Sequence, residues 1–289
     1  MIQSCSLHRI APVLLPAAGS AEPPEGPRDG TEVSPVLFVH GFGGWVAEFD
    51  VMAAELSGRP VGQGIDAVFE TGKEAEFRQA VRRHGAAGFY AIRFSQPRCS
   101  YRRLAPELEA AVRILREETG RPVDVVSHSM GGLVTRRVLD AGREEVRRLV
   151  MVATPNQGTR NATLGHLACR LAPAERVFPG INEALVDLSP VSDGRNPALA
   201  GMNLNWTAQR ERCDQVMTIM AECLPTPAVH GFGLEPGDGV VPAASCPMPG
   251  ARHVVVSPRW TVPLDCNHKW LLRHPEVVEA VGTFLDRKA

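Results

Sequence analysis

Apolar positions along the 289-residue chain alternate between short unbroken runs and longer stretches with helical spacing. Val36 to Val39 is a continuous apolar run and reads as a buried strand. Phe89 to Phe94, the Val123, Val125 and Val126 segment, and Val146 to Ala153 read the same way. Between these runs the period changes. Trp45 to Leu56 and Lys73 to Arg83 read as helices. Tyr101, Leu104, Leu108, Val112 and Leu115 recur at spacings of three and four, as do Leu133, Val134, Arg137, Val138 and Ala141. Strand alternating with helix predicts an α/β domain, a mostly parallel sheet with helices on both faces. After Asn156 the rhythm breaks. Gln157 to Leu224 shows no obvious buried strand, and Val216, Met217, Met220, Cys223 and Leu224 suggest a Met-containing helical face. Ala228 to Gly231 is expected to restart the sheet, Arg252 to Val256 to be its last strand, and Pro275 to open a closing helix.

Chemistry concentrates at the junctions. Between the valine strand and the helix that follows sits Ser127-His128-Ser129-Met130-Gly131-Gly132. A tight strand-to-helix turn with small flanking residues pushes one hydroxyl, that of Ser129, into a cleft. It also places the Met130 N–H at a helix N-terminus, where negative charge is favoured. This is one residue away from the Gly-x-Ser-x-Gly nucleophile elbow, with Ser127 where the first glycine usually stands. His40-Gly41-Phe42-Gly43-Gly44 follows the first strand, and its glycines let backbone N–H groups approach a ligand. Asp238 lies between Gly237 and Gly239 on a turn, and His268 lies on the loop before the last helix.

These segments together resemble the lipases and esterases of the α/β-hydrolase superfamily, over roughly Pro35 to Leu285. The resemblance implies Ser129 as nucleophile, Asp238 as acid and His268 as base, in the chain order of that fold. It implies an oxyanion hole from the backbone N–H groups of Phe42 and Met130. It also implies a helical cap over the site, assigned to residues 157–224, with Trp45, Met217 and Met220 as candidate substrate-pocket residues. His40 is expected to brace its loop and His274 to cap the last helix. Asp187, Asp193, Asp214 and Asp265 are the rival acids.

Such a triad would cleave carboxylic esters through an acyl-enzyme on Ser129, on a small-molecule ester or lipid, with no cofactor or metal. Activity is expected to fall as acid protonates the base. Thioester, amide and acyl-transfer chemistry use the same triad, so they stay open. So does an inactive hydrolase fold serving as a binding protein. No Gly-x-Gly-x-x-Gly follows an early strand, which disfavours a dinucleotide-binding protein.

Composition adds limits. Lys and Arg total 31 against 32 Asp and Glu, so nothing suggests a nucleic-acid footprint or a polybasic membrane patch. No apolar run approaches membrane-spanning length. Oligomeric state is not legible. Residues 1–32 read as a flexible lead-in to a hydrolase domain over 33–289. The brief apolar run Ile10 to Leu15 is interrupted by Pro12, which favours the cytoplasm over export. The seven cysteines are expected to be mostly buried thiols. Cys213 with Cys223, and Cys246 with Cys266, are the pairs to test in an exported protein.

Overall fold

The computed structural model describes residues 33–144, 146–171, 174–257 and 266–287; the expected lead-in lies outside them. The first core strand, β1 (Val36–Val39), is fully buried on both faces. Its side chains alternate, with Leu37 and Val39 packing into one core and Val36 and Phe38 into the other. The chain continues through α1 (Asp50–Ser57), β2 (Ala67–Phe69), α2 (Glu74–His84), β3 (Phe89–Ile92) and α3 (Tyr101–Thr119). Then come β4 (Val123–His128), α4 (Met130–Ala141) and β5 (Val146–Val152). Five helices follow: α5 (Arg160–Leu171), α6 (Ala174–Val177), α7 (Ile181–Leu188), α8 (Pro197–Leu204) and α9 (Trp206–Arg210). The chain closes with β6 (Cys213–Ala221), β7 (Leu224–Pro227), β8 (Leu234–Gly237), β9 (Arg252–Val256) and α10 (Pro275–Leu285).

Seven strands form one sheet in the order β2-β3-β1-β4-β5-β6-β9, and every neighbouring pair is parallel. Parallel strands need crossovers, and the helices supply them on both faces. Leu104, Leu108, Val112 and Leu115 of α3, with Leu133, Val134 and Val138 of α4, fill the core on one face. Met52, Ala53 and Leu56 of α1, with Val277, Val281, Phe284 and Leu285 of α10, fill the other. The strand β4 lies at the centre of the sheet, so whatever leaves its C-terminal end is held by paired neighbours on both sides.

Two expectations are corrected here. The Met-containing stretch at Val216 is not a helix but the sheet strand β6, pairing with β5 and β9. An unbroken apolar run satisfies helical and strand periods alike, and the β-branched Val216, Thr218 and Ile219 favour the strand. The helical insertion therefore ends at α9, not at Leu224. Ala228 to Gly231 carries no strand; it joins β7 to β8, a small antiparallel hairpin apart from the main sheet.

The helical insertion is fastened to α4 by a buried cation. Arg136, fully buried, donates to the side-chain oxygens of Asn156, Asn203 and Gln209 and to the Met202 carbonyl. Its guanidinium also lies 5.2 Å over the Trp206 ring. Burial pushes its pKa down to about 10, so it stays charged at neutral pH and needs those acceptors.

Close approach of α4 to β1 sets one test. A Cβ on Gly131 would lie 2.4 Å from the Val39 carbonyl oxygen, a backbone atom that cannot step aside. Gly201 in α8 has open space at the same position. Gly131→Ala is expected to destabilise by about 1–3 kcal/mol, whereas Gly201→Ala should be neutral or gain up to about 1 kcal/mol. Equilibrium denaturation of both variants checks the contrast.

Candidate active site

The turn from β4 into α4 holds Ser129 at φ 53 and ψ −127, a left-handed conformation that non-glycine residues seldom adopt. Its environment over-determines the strain. The Ser129 N–H donates to the Val152 carbonyl at 2.8 Å, tying the turn to the end of β5. Gly132 packs so near Thr154 that an added Cβ would lie 2.1 Å from its hydroxyl oxygen. Ser127, at the position where the motif usually has glycine, is fully buried, and its hydroxyl donates to the Val150 carbonyl at 2.8 Å. Serine is therefore accommodated there with its polar group paired.

Two loops far from it in sequence, carrying His268 and Asp238, converge on Ser129. The His268 Nε2 lies 2.9 Å from the Ser129 hydroxyl oxygen. The other ring nitrogen, Nδ1, lies 2.7 Å from Asp238 Oδ2. A carboxylate only accepts, so Nδ1 carries the proton and Nε2 is free to accept from the serine. Asp238 is buried, and its second oxygen accepts from the N–H groups of Val240 at 2.9 Å and Val241 at 2.7 Å. Burial alone would raise the Asp238 pKa. The charge and hydrogen bond of His268, with the two N–H groups, outweigh burial and hold it below the usual carboxylate range. Of the rivals, Asp187 accepts from Ser100 and Arg102, and Asp193 pairs with Arg160. Asp214 stands in β6 rather than at a helix start, and Asp265 lies outside the described residues.

The loop after β1 meets the elbow. A Cβ on Gly41 would sit 2.8 Å from Ser129 Cβ and 3.3 Å from the Met130 nitrogen, so only glycine permits the contact. Neither the Phe42 N–H nor the Met130 N–H donates to any group among the described residues. His40 Nδ1 lies 3.0 Å from the Gly41 carbonyl oxygen, and its Nε2 lies 3.5 Å from the Phe94 nitrogen, consistent with a bracing role. His274 stands at the N-cap of α10 but makes no side-chain capping bond.

Other expected site residues are not brought together. Met217 and Met220, three apart on a strand, face opposite sides of the sheet. Met217 is buried with Phe38, Val150 and Val152, and Met220 with Val241, Ala243 and Cys246 beneath the Asp238 turn. They cannot line one pocket. Trp45 is 63% exposed at the end of the Gly-rich loop.

Two supports of the histidine loop were not legible in the sequence. His128 is buried, and its Nε2 lies 2.8 Å from the His268 carbonyl oxygen. That oxygen only accepts, so His128 Nε2 donates. Burial lowers the His128 pKa, and the ring lies 4.7 Å from the His268 ring. The second support is a disulfide between Cys223, just past β6, and Cys266, two residues before His268. The expected pairs are thereby corrected, since Cys213 and Cys246 are free and buried.

The fold is that of the α/β-hydrolases: a parallel sheet crossed by helices, with the elbow at the end of its central strand. The profile of a domain of unknown function (DUF7379) matches residues 102–173. Two solved structures of lipase BlEst2 from Bacillus licheniformis are similar in fold. The mature form is 19% identical, with a TM-score of 0.52, covering 91% of this chain and 94% of that one. The propeptide form is 20% identical, with a TM-score of 0.54, covering 93% of this chain and 53% of that one. No curated protein matches the chain.

The disulfide closes a loop with a sequence separation of 43 residues. Chain-entropy reasoning assigns such a crosslink up to about 4 kcal/mol. Replacing Cys223 and Cys266 together with serine is expected to lower unfolding stability by about 2–4 kcal/mol, whereas Cys213→Ser should leave the sensitivity to a thiol reductant intact. Denaturation with and without reductant checks both.

Proposed function

We propose that the protein is a serine hydrolase of carboxylic esters. The observation that carries this reading is the unbroken hydrogen-bonded chain from Asp238 through His268 to Ser129. His268 Nε2 takes the Ser129 proton as Oγ adds to the ester carbonyl. The resulting oxyanion accepts from the Phe42 and Met130 N–H groups, each worth about 3–4 kcal/mol in sites of this kind. As the tetrahedral species collapses, the C–O bond to the alcohol breaks and His268 returns its proton to the departing oxygen. Water then adds to the acyl-enzyme, giving its proton to His268. On collapse the bond between the acyl carbon and Ser129 Oγ breaks, His268 returns its proton to Oγ, and the carboxylic acid leaves. Asp238 holds the imidazole in the required tautomer and offsets the charge it gains.

Fold similarity at this level of identity shows architecture alone, so the ester reading rests on the site. The insertion α5 to α9 is read as a cap at the C-terminal edge of the sheet. The Cys223–Cys266 disulfide favours an oxidising compartment over the cytoplasm expected from the sequence. No helix among the described residues is long and apolar enough to cross a membrane.

Steady-state hydrolysis of a short p-nitrophenyl ester tests the roles. Ser129→Ala should abolish turnover while leaving the melting curve native. Asp238→Asn should reduce kcat by roughly 10³–10⁴-fold, because the tautomer is no longer enforced. An active Ser129→Ala variant, or an Asp238→Asn variant within about tenfold of the parent, would contradict the assignment.

A further inference from the structure

A half-buried cation beside the site is not used by the triad or the oxyanion loop. The segment after β3 runs beside the Gly-rich loop, and the Gly43 N–H donates to the Pro97 carbonyl at 2.7 Å. Arg98, the next residue, is half-buried. Its Nε lies 3.5 Å from where a Cβ on Gly43 would stand. On its other side the guanidinium stacks 4.5 Å over the ring of Phe178, just past α6. Arg98 is thus held between the candidate oxyanion loop and the helical insertion.

Arg98 makes no hydrogen bond or ion pair among the described residues. The carboxylates that act on the neighbouring Cys99 are Glu107, Glu175 and Glu183. Glu107 is taken up by Ser95 and Thr71, Glu175 by the Gly180 and Asn182 N–H groups, and Glu183 by Arg102 and Arg103. At the centre of the site, Asp238 serves His268, and Glu48 faces His128 at 3.8 Å. Stacking on an aromatic face fixes the plane of a guanidinium without consuming its N–H donors. An oriented and unpaired fork of this kind matches the two oxygens of a phosphate or carboxylate.

We propose that Arg98 is a specificity residue, and that the site takes esters carrying an anionic group near the scissile bond. This rests on the ester-hydrolase reading and names its substrate class. The spacing sets where the anion must be. Gly41 touches Ser129, and Gly43 is two residues on, at most about 7.6 Å away, which puts the guanidinium on the order of 10 Å from the serine. Subtracting one attack distance and one hydrogen bond, about 3 Å each, leaves on the order of 4 Å between the scissile carbonyl carbon and the anion. A phosphate on the alcohol side, one ethylene unit beyond the ester oxygen, spans that gap. So does a terminal carboxylate on a five-carbon acyl chain.

Two matched substrate pairs test the inference and distinguish the side. The alcohol-side pair is 2-(butanoyloxy)ethyl phosphate against 2-hydroxyethyl butanoate. The acyl-side pair is 4-nitrophenyl hydrogen glutarate against 4-nitrophenyl valerate. The readout is the ratio of kcat/KM for the anionic ester to that for its neutral partner, at low salt. In the parent protein the ratio should exceed one in at least one pair. Arg98→Gln should lower it about tenfold or more, and Arg98→Lys should lower it less, since the charge remains but the fork is lost. Melting curves of both variants confirm that the fold persists. A ratio unchanged in Arg98→Gln, with the neutral esters still cleaved, overturns the inference and leaves the ester-hydrolase reading standing. A parent protein that cleaves none of the four esters overturns both.

Discussion

The structure depends on how closely helix α4 approaches strand β1. The Gly131 backbone sits against the Val39 carbonyl at a distance that no side chain permits. That approach lets the chain reverse within one residue, and the reversal forces Ser129 into its left-handed conformation. A strained residue at the end of a central strand would relax if its neighbours allowed it. Here the bond from the Ser129 N–H to Val152, the Gly41 contact and the Gly132 packing against Thr154 all oppose relaxation. The strain is thus held by the sheet, which fixes where the hydroxyl points.

Asp238 and His268 come from less regular ground, and each is secured separately. Asp238 lies on a turn beyond the β7–β8 hairpin, and its carboxylate closes that turn on the Val240 and Val241 N–H groups. Its backbone carbonyl also accepts from the His268 N–H at 3.1 Å. The His268 loop is further tied by His128 at the end of β4 and by the disulfide from Cys223, just past β6. Three independent ties on one loop explain how a histidine far from any strand can keep two ring hydrogen bonds at once. The insertion has its own anchor in Arg136, a charge that must keep its four acceptors to remain buried.

Much of this was legible in the sequence because its causes are local. The turn around Ser129 announces itself through small residues between two periods. Asp238 and His268 were singled out through the resemblance to the α/β-hydrolases, which places an acid and a histidine on loops at these points of the strand and helix order. What was not legible depends on partners distant in the chain. The run Val216 to Ala221 fits a helix or a strand, and only its pairing with β5 and β9 decides. Reading it as a helix brought Met217 and Met220 onto one face, which the pleat then separated. Cysteine spacing cannot choose between Cys213 and Cys266 as the partner of Cys223. Strand β2 is short and only half-buried, so no apolar run marked it. The contact that His128 makes to the His268 carbonyl depends on a loop 140 residues further along the chain.

The central claim is that the Ser129 hydroxyl is activated by His268 and Asp238. Covalent labelling by a fluorophosphonate tests it without any assumption about the natural substrate. After reaction, peptide mapping should place one adduct, on Ser129. The labelling rate should collapse in His268→Ala. An adduct on Ser127 or another hydroxyl would contradict the account. So would a folded protein that remains unlabelled at neutral pH.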